Sequence, residues 1–334
     1  MSRARVRKPP NEPEAVWKED DIVSGERIRA LAVVLRTSGC WWSRKRGCLM
    51  CGYNAASDSA IGAKDIEAQL ETVRQKYEGE RLVKIYTSGS FLDPNEIPVE
   101  IRDDVFAIFP GEPRILFESR PEFVTEENLA ALPAKRVEVA LGLESSDDEV
   151  LRTCIRKGFT ASDYQRAAEA VKRQGMSVRT YLLLKPPFMT EARAIRDTVT
   201  SALFARVRSD TISVNPVNVQ AGTEVESLWR RGNYRPPWLW SLVEVLRRAK
   251  EGTDIRVFSS PSGAGTPRGV HNCGKCDDEV LGAVKRFSFS QDLREFDGLD
   301  CECKQRWRAQ LQTQDAMMTS VDVDRHLESE LPLA

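Results

Sequence analysis

Cys40, Cys48 and Cys51 stand together in the segment Arg36–Tyr53, directly after the apolar run Ile28–Leu35. Three thiolates on a loop leaving a buried strand can hold three irons of a [4Fe–4S] cluster. The fourth iron then has no protein ligand and stays open to bind and reduce a small molecule. The spacing is Cys-x7-Cys-x2-Cys, and its Cys-x2-Cys half is shared with structural zinc sites. Zinc needs a fourth ligand, and no His or further Cys lies close in sequence to supply it.

A second group pairs Cys273-x2-Cys276 with Cys301-x-Cys303 across 24 residues, with His271 alongside. Four thiolates close a tetrahedral site, so structural zinc is the first reading and an auxiliary [4Fe–4S] cluster the alternative. His271 reads as a neighbour of the metal that could replace Cys303. The eighth cysteine, Cys154, stands alone and reads as a small buried residue.

The elements that must position these groups alternate in type. Candidate strands cover 29–36, 82–88, 114–119, 136–143, 178–184 and 210–215, each short and rich in aliphatic residues, with a possible last strand at 255–258. Helical patterns fall between them, one carrying Ile66, Leu70, Val73 and Tyr77 on a single stripe, the others at 96–109, 125–132, 162–174, 191–206 and 238–250. Six strands alternating with helices predict an α/β domain, a partial (βα)6 TIM-like barrel. Residues 1–27 read as a polar arm, 28–258 as the core, 259–310 as a Cys-rich metal-binding extension and 311–334 as a polar tail. In such barrels chemistry gathers at the C-terminal ends of the strands, where the first cysteine loop falls.

Each later strand also ends in polar or small residues. The second is followed by Ser88-Gly89-Ser90, small enough to let backbone approach a ligand, as an ordinary tight turn also would be. The third ends in Glu118 and Arg120, a carboxylate for a ribose or amino group and a guanidinium for a carboxylate, or else a surface ion pair. The fourth ends in Glu144 and Ser145, ahead of Asp147-Asp148-Glu149, which read as a helix start. Lys185 closes the fifth strand, and Asn215 to Gln220 close the sixth. Within the cysteine loop, Arg44, Lys45 and Arg46 stand where a polyanionic substrate would meet them, and Trp41 and Trp42 could stack on a base or pack inside. Arg230-Arg231 and Arg247-Arg248 read as solvated faces.

Taken in order, Arg36-Thr-Ser-Gly-Cys40, Tyr86-Thr-Ser-Gly-Ser-Phe91, Glu118-Ser-Arg-Pro121, Gly142-Leu-Glu-Ser-Ser-Asp-Asp-Glu149 and Gly222-Thr223 resemble the radical SAM (S-adenosylmethionine) family in its Elongator-catalytic-subunit-like branch. The wide cysteine loop, Lys185-Pro-Pro-Phe-Met-Thr-Glu191 and His271-Asn-Cys-Gly-Lys-Cys-Asp277 resemble the RaSEA group, the radical SAM subunits of archaeosine synthase. The likeness spans residues 28–308. It implies a [4Fe–4S] cluster on Cys40, Cys48 and Cys51, with SAM held by Ser88, Gly89, Ser90, Glu118, Arg120, Glu144, Ser145, Lys185 and Asn215. Trp41, Arg44, Lys45, Arg46 and Gln220 are then the candidate substrate contacts. The implied reaction breaks a C–N bond in a lysine-modified 7-deazaguanine of tRNA, leaving archaeosine. Its partners would be that tRNA, the lysine-transferase subunit and an electron donor.

Composition bounds the alternatives. The 334 residues carry 49 Lys and Arg against 50 Asp and Glu, a net charge of −1, so any tRNA affinity would rest largely on the partner. With 41% hydrophobic residues, 30% charged residues and no long apolar run or leader, a soluble cytoplasmic protein is expected. Only two His leave little room for a His-based hydrolytic triad. Two other readings stand beside the first: a different radical SAM reaction on tRNA or a small molecule, and a zinc-stapled nucleic-acid-binding module without catalysis.

Overall fold

The computed structural model describes residues 8–317. The chain divides into two compact units: Met1–Arg46 with Tyr53–Gly142 and Gln165–Val178, and Gly47–Gly52 with Leu143–Tyr164 and Arg179–Ala334. The first unit opens with β1 (Ala15–Val23) and β2 (Glu26–Val34), followed by α1 (Trp41–Lys45), α2 (Ala63–Lys76), β3 (Leu82–Tyr86), α3 (Val99–Ala107), β4 (Arg114–Ser119) and α4 (Glu126–Ala130). Then come β5 (Val137–Glu144), α5 (Ala161–Arg173), β6 (Ser177–Leu184), α6 (Glu191–Ala205), β7 (Thr211–Pro216) and α7 (Glu224–Arg230). The chain continues through α8 (Leu239–Glu251), β8 (Arg256–Phe258), α9 (Asp277–Ser290) and α10 (Cys303–Met317).

In the first unit β2, β3, β4 and β5 run parallel in that order, with Val33 opposite Ile85, Ile85 opposite Phe117 and Phe117 opposite Val139. All four residues are fully buried, the signature of strands covered on both faces. Phe91 stacks on Phe117 with ring centroids 4.4 Å apart. The stripe expected on α2 is buried through Ile66, Leu70 and Val73. Because β2, β3 and β4 are parallel neighbours, the segments after Val34, Tyr86 and Ser119 leave from the same edge.

Much of the expected polar arm is a strand. β1 pairs antiparallel with β2, placing Val16 opposite Val33 and Asp21 opposite Ile28. The charges that made it read as an arm are neutralised: Lys84, buried on β3, binds Glu19 at 2.5 Å and Asp21 at 2.6 Å, and Lys18 binds Glu80 at 2.7 Å. Buried carboxylates of this kind are tolerated because they are paired. The first seven residues of that arm lie outside the described ones.

In the second unit β6, β7 and β8 run parallel, with Thr180 opposite Ile212 and Ser213 opposite Phe258. The helix start expected at Asp147 is there: its carboxylate accepts from the Glu149 and Val150 amides, opening the π-helical turn Val150–Ile155. Cys154 is buried as expected. α10 continues to Met317, into the segment expected as a tail, and 318–334 lie outside the described residues. Among the described residues no helix is long and apolar enough to cross a membrane.

Candidate active site and cysteine-rich metal site

At the shared edge of the first unit, Cys40 is nearly buried and lies in the segment that leaves β2 after Val34. The Gly89 backbone lies against it: a Cβ on Gly89 would stand 2.7 Å from Cys40 Cα and 2.9 Å from its Cβ. Only glycine lets the two chains approach so closely. Glu96 fixes both segments. Its carboxylate accepts from the Thr37 hydroxyl at 2.8 Å, the Gly89 amide at 3.0 Å and the Ser90 amide at 2.6 Å. Burial pushes the Glu96 carboxyl up from its ordinary value, against the opposing pull of those hydrogen bonds.

The other expected residues of this edge join the same scaffold. Ser90 Oγ accepts from the Arg120 amide at 3.0 Å, and the Phe91 amide donates to the Glu118 carbonyl at 2.8 Å. Ser88 Oγ accepts from Ser57 Oγ at 2.7 Å. Arg120 binds Glu122 at 2.6 Å, and Glu122 also accepts from the Trp41 indole at 3.0 Å. The Arg120 guanidinium sits 5.8 and 5.7 Å from the Trp41 and Trp42 ring centres, and Lys45 sits 4.6 Å from that of Trp41. Trp41 and Trp42 are thus partly buried in a cation–aromatic cluster, while Arg44, Lys45 and Arg46 are exposed beside it.

The second unit holds the loop with Cys48 and Cys51. The Cys51 amide donates to the Cys48 carbonyl at 3.3 Å, closing the turn between them. Leu49 anchors that turn, donating to Ile155 O at 3.0 Å and accepting from the Val225 amide at 3.2 Å. Gln220 braces the exit, its side-chain oxygen accepting from the Gly52 amide at 2.5 Å. A Cβ on Gly52 would come within 2.9 Å of the Gln220 side chain.

At the ends of β5 and β6, Glu144 (φ 66°) and Lys185 (φ 60°) both adopt the left-handed backbone. Non-glycine residues held there cost about 1–3 kcal/mol, a strain that concentrates at functional sites. Glu144 pairs with Lys157 at 2.7 Å. Lys185 is 3% exposed and pairs with the fully buried Glu191 at 2.6 Å, while its ammonium donates to the Arg235 carbonyl at 3.0 Å. Fully buried Ser145 donates to Asp197 at 2.7 Å. The other Asp197 oxygen has no hydrogen-bond partner, and burial pushes its carboxyl up to about 6. Asn215 accepts from Ser213 at 3.1 Å.

Cys273, Cys276, Cys301 and Cys303 place their four sulfurs within 4.8 Å of one another. The Cys273–Cys301 and Cys276–Cys303 separations are both 3.7 Å. Indole Nε1 of Trp240 donates to Cys303 Sγ at 3.2 Å, and the Asn272 amide donates to Cys276 Sγ at 3.3 Å. Both donors favour the thiolate form that a metal requires. Burial pushes the Cys276 thiol up to about 11, whereas a backbone amide holds Cys273 down at about 7. His271 is a neighbour: its Nδ1 engages Gly269 O at 2.7 Å, and it stands outside the four-sulfur group.

The sequence pattern of the Radical SAM superfamily matches residues 34–198, a span that includes Cys40, Cys48 and Cys51. A protein of Methanosarcina acetivorans named archaeosine synthase subunit beta is 44% identical over 319 residues, 92% of each chain. The chain belongs to this family. A Thermococcus kodakarensis protein of the same name is 40% identical over 87% of this chain and 94% of its own. Spore photoproduct lyase complexed with dinucleoside spore photoproduct shares the fold, with a TM-score of 0.50 at 11% identity over 68% of this chain and 75% of that one. The α/β radical SAM partial barrel with a C-terminal cysteine cluster is therefore the fold class, and the RaSEA resemblance is the family.

Membership in the radical SAM superfamily implies a [4Fe–4S] cluster and SAM. The residues present fit them: three cysteines on a loop with no nearby fourth ligand, Cys40 held beside the glycine turn, and Cys48–Cys51 anchored by backbone bonds. Sequence reasoning missed Glu96, Asp197, Glu191, Trp240 and Asn272. Asn272 carried a signal in its place beside Cys273, and Glu191 in the motif that begins at Lys185; the others act through contacts distant in sequence.

Proposed function

We propose that this chain is the radical-generating subunit that converts a lysine-modified 7-deazaguanine in tRNA to archaeosine, together with the lysine-transferase subunit. The observation that carries this is near-full-length identity of 44% and 40% to two proteins named archaeosine synthase subunit beta. The word subunit supports a partner, and archaeosine supports a tRNA substrate.

A [4Fe–4S] cluster held by Cys40, Cys48 and Cys51 would supply one-electron reductive cleavage of SAM, with an external donor as the electron source, and so the radical chemistry that removes hydrogen from the lysine side chain and breaks the C–N bond. The chain's own part is positional. Cys40, Cys48 and Cys51 would hold three of the cluster's irons. Ser88, Gly89 and Ser90, set by Glu96, offer backbone and hydroxyl groups to the methionine end of SAM. Glu118 and Arg120 line the same edge for its polar groups. Glu144, Ser145 and Asn215 stand at strand ends of the second unit for the nucleoside portion, with Lys185 locked by Glu191 shaping the loop between β6 and α6. Trp41, Arg44, Lys45, Arg46 and Gln220 face the modified nucleotide and its phosphates.

The four-cysteine site we assign to structural zinc. Sulfurs 3.7 Å apart match the edge of a tetrahedron built on zinc–sulfur bonds of about 2.3 Å, whereas sulfurs on separate irons of a cubane stand farther apart.

The test is anaerobic incubation with SAM, dithionite and lysine-modified tRNA, followed by mass analysis of the nucleosides. Archaeosine formation supports the assignment. Formation of 5′-deoxyadenosine without archaeosine keeps the radical chemistry and rejects the substrate.

A further inference from the structure

Within the second unit, α6, α8 and α10 line a cleft of about 620 Å³ to which no strand residue contributes. Its floor is aromatic: Trp240 and Trp307 are 2% and 8% exposed, and Phe296 closes one side. Its walls are cationic. Arg196 on α6, Arg247 and Arg248 on α8, and Lys304 and Arg308 on α10 line it, against a single lining carboxylate, Glu244. The whole chain has a net charge of −1, so five cations around one cleft are a local concentration and no reflection of a basic composition.

Helical spacing produces this arrangement. Lys304, Arg308 and Leu311 recur at four and three residues on one face of α10, and Trp240, Val243, Arg247 share a face of α8. The two α8 arginines keep donors to spare. Arg247 stands 3.6 Å from Asp297 and Arg248 3.9 Å from Glu244, beyond hydrogen-bonding range and at partly exposed positions. Lys304 donates to Leu299 O at 2.8 Å and lies 4.9 Å from the Trp240 ring centre. The wall is also fixed in place, since α10 begins at Cys303, to which Trp240 donates.

We propose that this cleft binds the phosphate backbone of an RNA strand. Guanidinium forks match phosphate oxygens two at a time, and cations spread over three helices suit a row of phosphates better than one. That the polyanion is RNA rests on the tRNA reading above; the charge complementarity does not. The cleft would give the chain a tRNA contact of its own, beside the affinity the partner supplies.

The test uses the full-length chain and an unmodified tRNA transcript, with binding followed by fluorescence anisotropy across a salt series. Replacing Arg248→Gln and Arg308→Gln together is expected to weaken binding about tenfold or more and to flatten the slope of log K against log salt by about 2, near 0.9 for each phosphate no longer neutralised. A control pair outside the cleft, Arg173→Gln with Lys285→Gln, is expected to bind like the parent. Uncoupled cleavage of SAM by the reduced enzyme should be unchanged in the cleft variant, which shows that it is folded. Parent-like affinity and slope in the cleft variant would overturn the proposal, as would failure of the parent to bind tRNA at low salt. Binding by the parent that depends on the cleft, without archaeosine formation, would leave the cleft standing and reject the proposed reaction.

Discussion

The Thr37 hydroxyl donates to the Glu96 carboxylate across 2.8 Å, and through it the approach to Cys40 is tied to the turn Ser88–Ser90. Two loops that are distant in sequence thus share one buried anchor. The approach to Cys40 and the turn proposed to meet SAM are thereby held by the same carboxylate.

Gly89→Ala tests that coupling. The added methyl would overlap Cys40 and the Glu96 carboxylate, and overpacking of this kind costs roughly 1–3 kcal/mol. The expected outcome is a chain with parent-like circular dichroism that retains less iron after anaerobic reconstitution. Full iron content and normal SAM cleavage in the variant would show that the close approach is dispensable.

The Lys185–Glu191 pair is buried at both ends, so removing one partner strands the other charge. Lys185→Met is expected to lower stability by roughly 3–5 kcal/mol, and adding Glu191→Gln should recover much of that loss. Denaturant unfolding measures both. Unchanged stability with weakened SAM binding would instead make Lys185 a direct contact to the SAM carboxylate.

Asp197 carries a pH signature. Its carboxyl is pushed up to about 6 by burial, so the folded state holds its proton more tightly than the unfolded state does. Its contribution to stability is therefore full below about pH 4 and is lost as the pH rises through about 6. Asp197→Asn removes that titration. Relative to the parent, the variant should gain up to roughly 3 kcal/mol between pH 4 and pH 7, read from unfolding curves at both. A stability difference that does not vary with pH would mean that the site is hydrated.

Removing the metal from the four-cysteine site should loosen the start of α10. Cys303→Ser is expected to lose zinc, to melt earlier, and to shift Trp240 emission to the red as that indole leaves its buried place beside Cys303. Metal analysis that finds iron in place of zinc in the parent would reassign the site.

Much of the fold was legible because parallel strands covered on both faces leave continuous apolar runs, as at Ile115–Phe117 and Val139–Leu141. The strand Ala15–Val23 was not, since its Lys18, Glu19 and Asp21 look solvent-bound until Lys84 and Glu80 are seen beside them. The gathering of Cys273, Cys276, Cys301 and Cys303 was announced by residue type and spacing. Glu96 was hidden for the opposite reason: a carboxylate in a loop has no local mark that it will be buried. The cleft cations were read as solvated faces because Arg247 and Arg248 gain meaning only when α10 brings Lys304 and Arg308 opposite them.

The central claim, radical cleavage of the lysine-modified nucleoside, is tested most directly with deuterium in the lysine side chain of the substrate tRNA. The account predicts that deuterium appears in 5′-deoxyadenosine in step with archaeosine formation. Archaeosine formed without deuterium transfer, or 5′-deoxyadenosine carrying only solvent hydrogen, would contradict it.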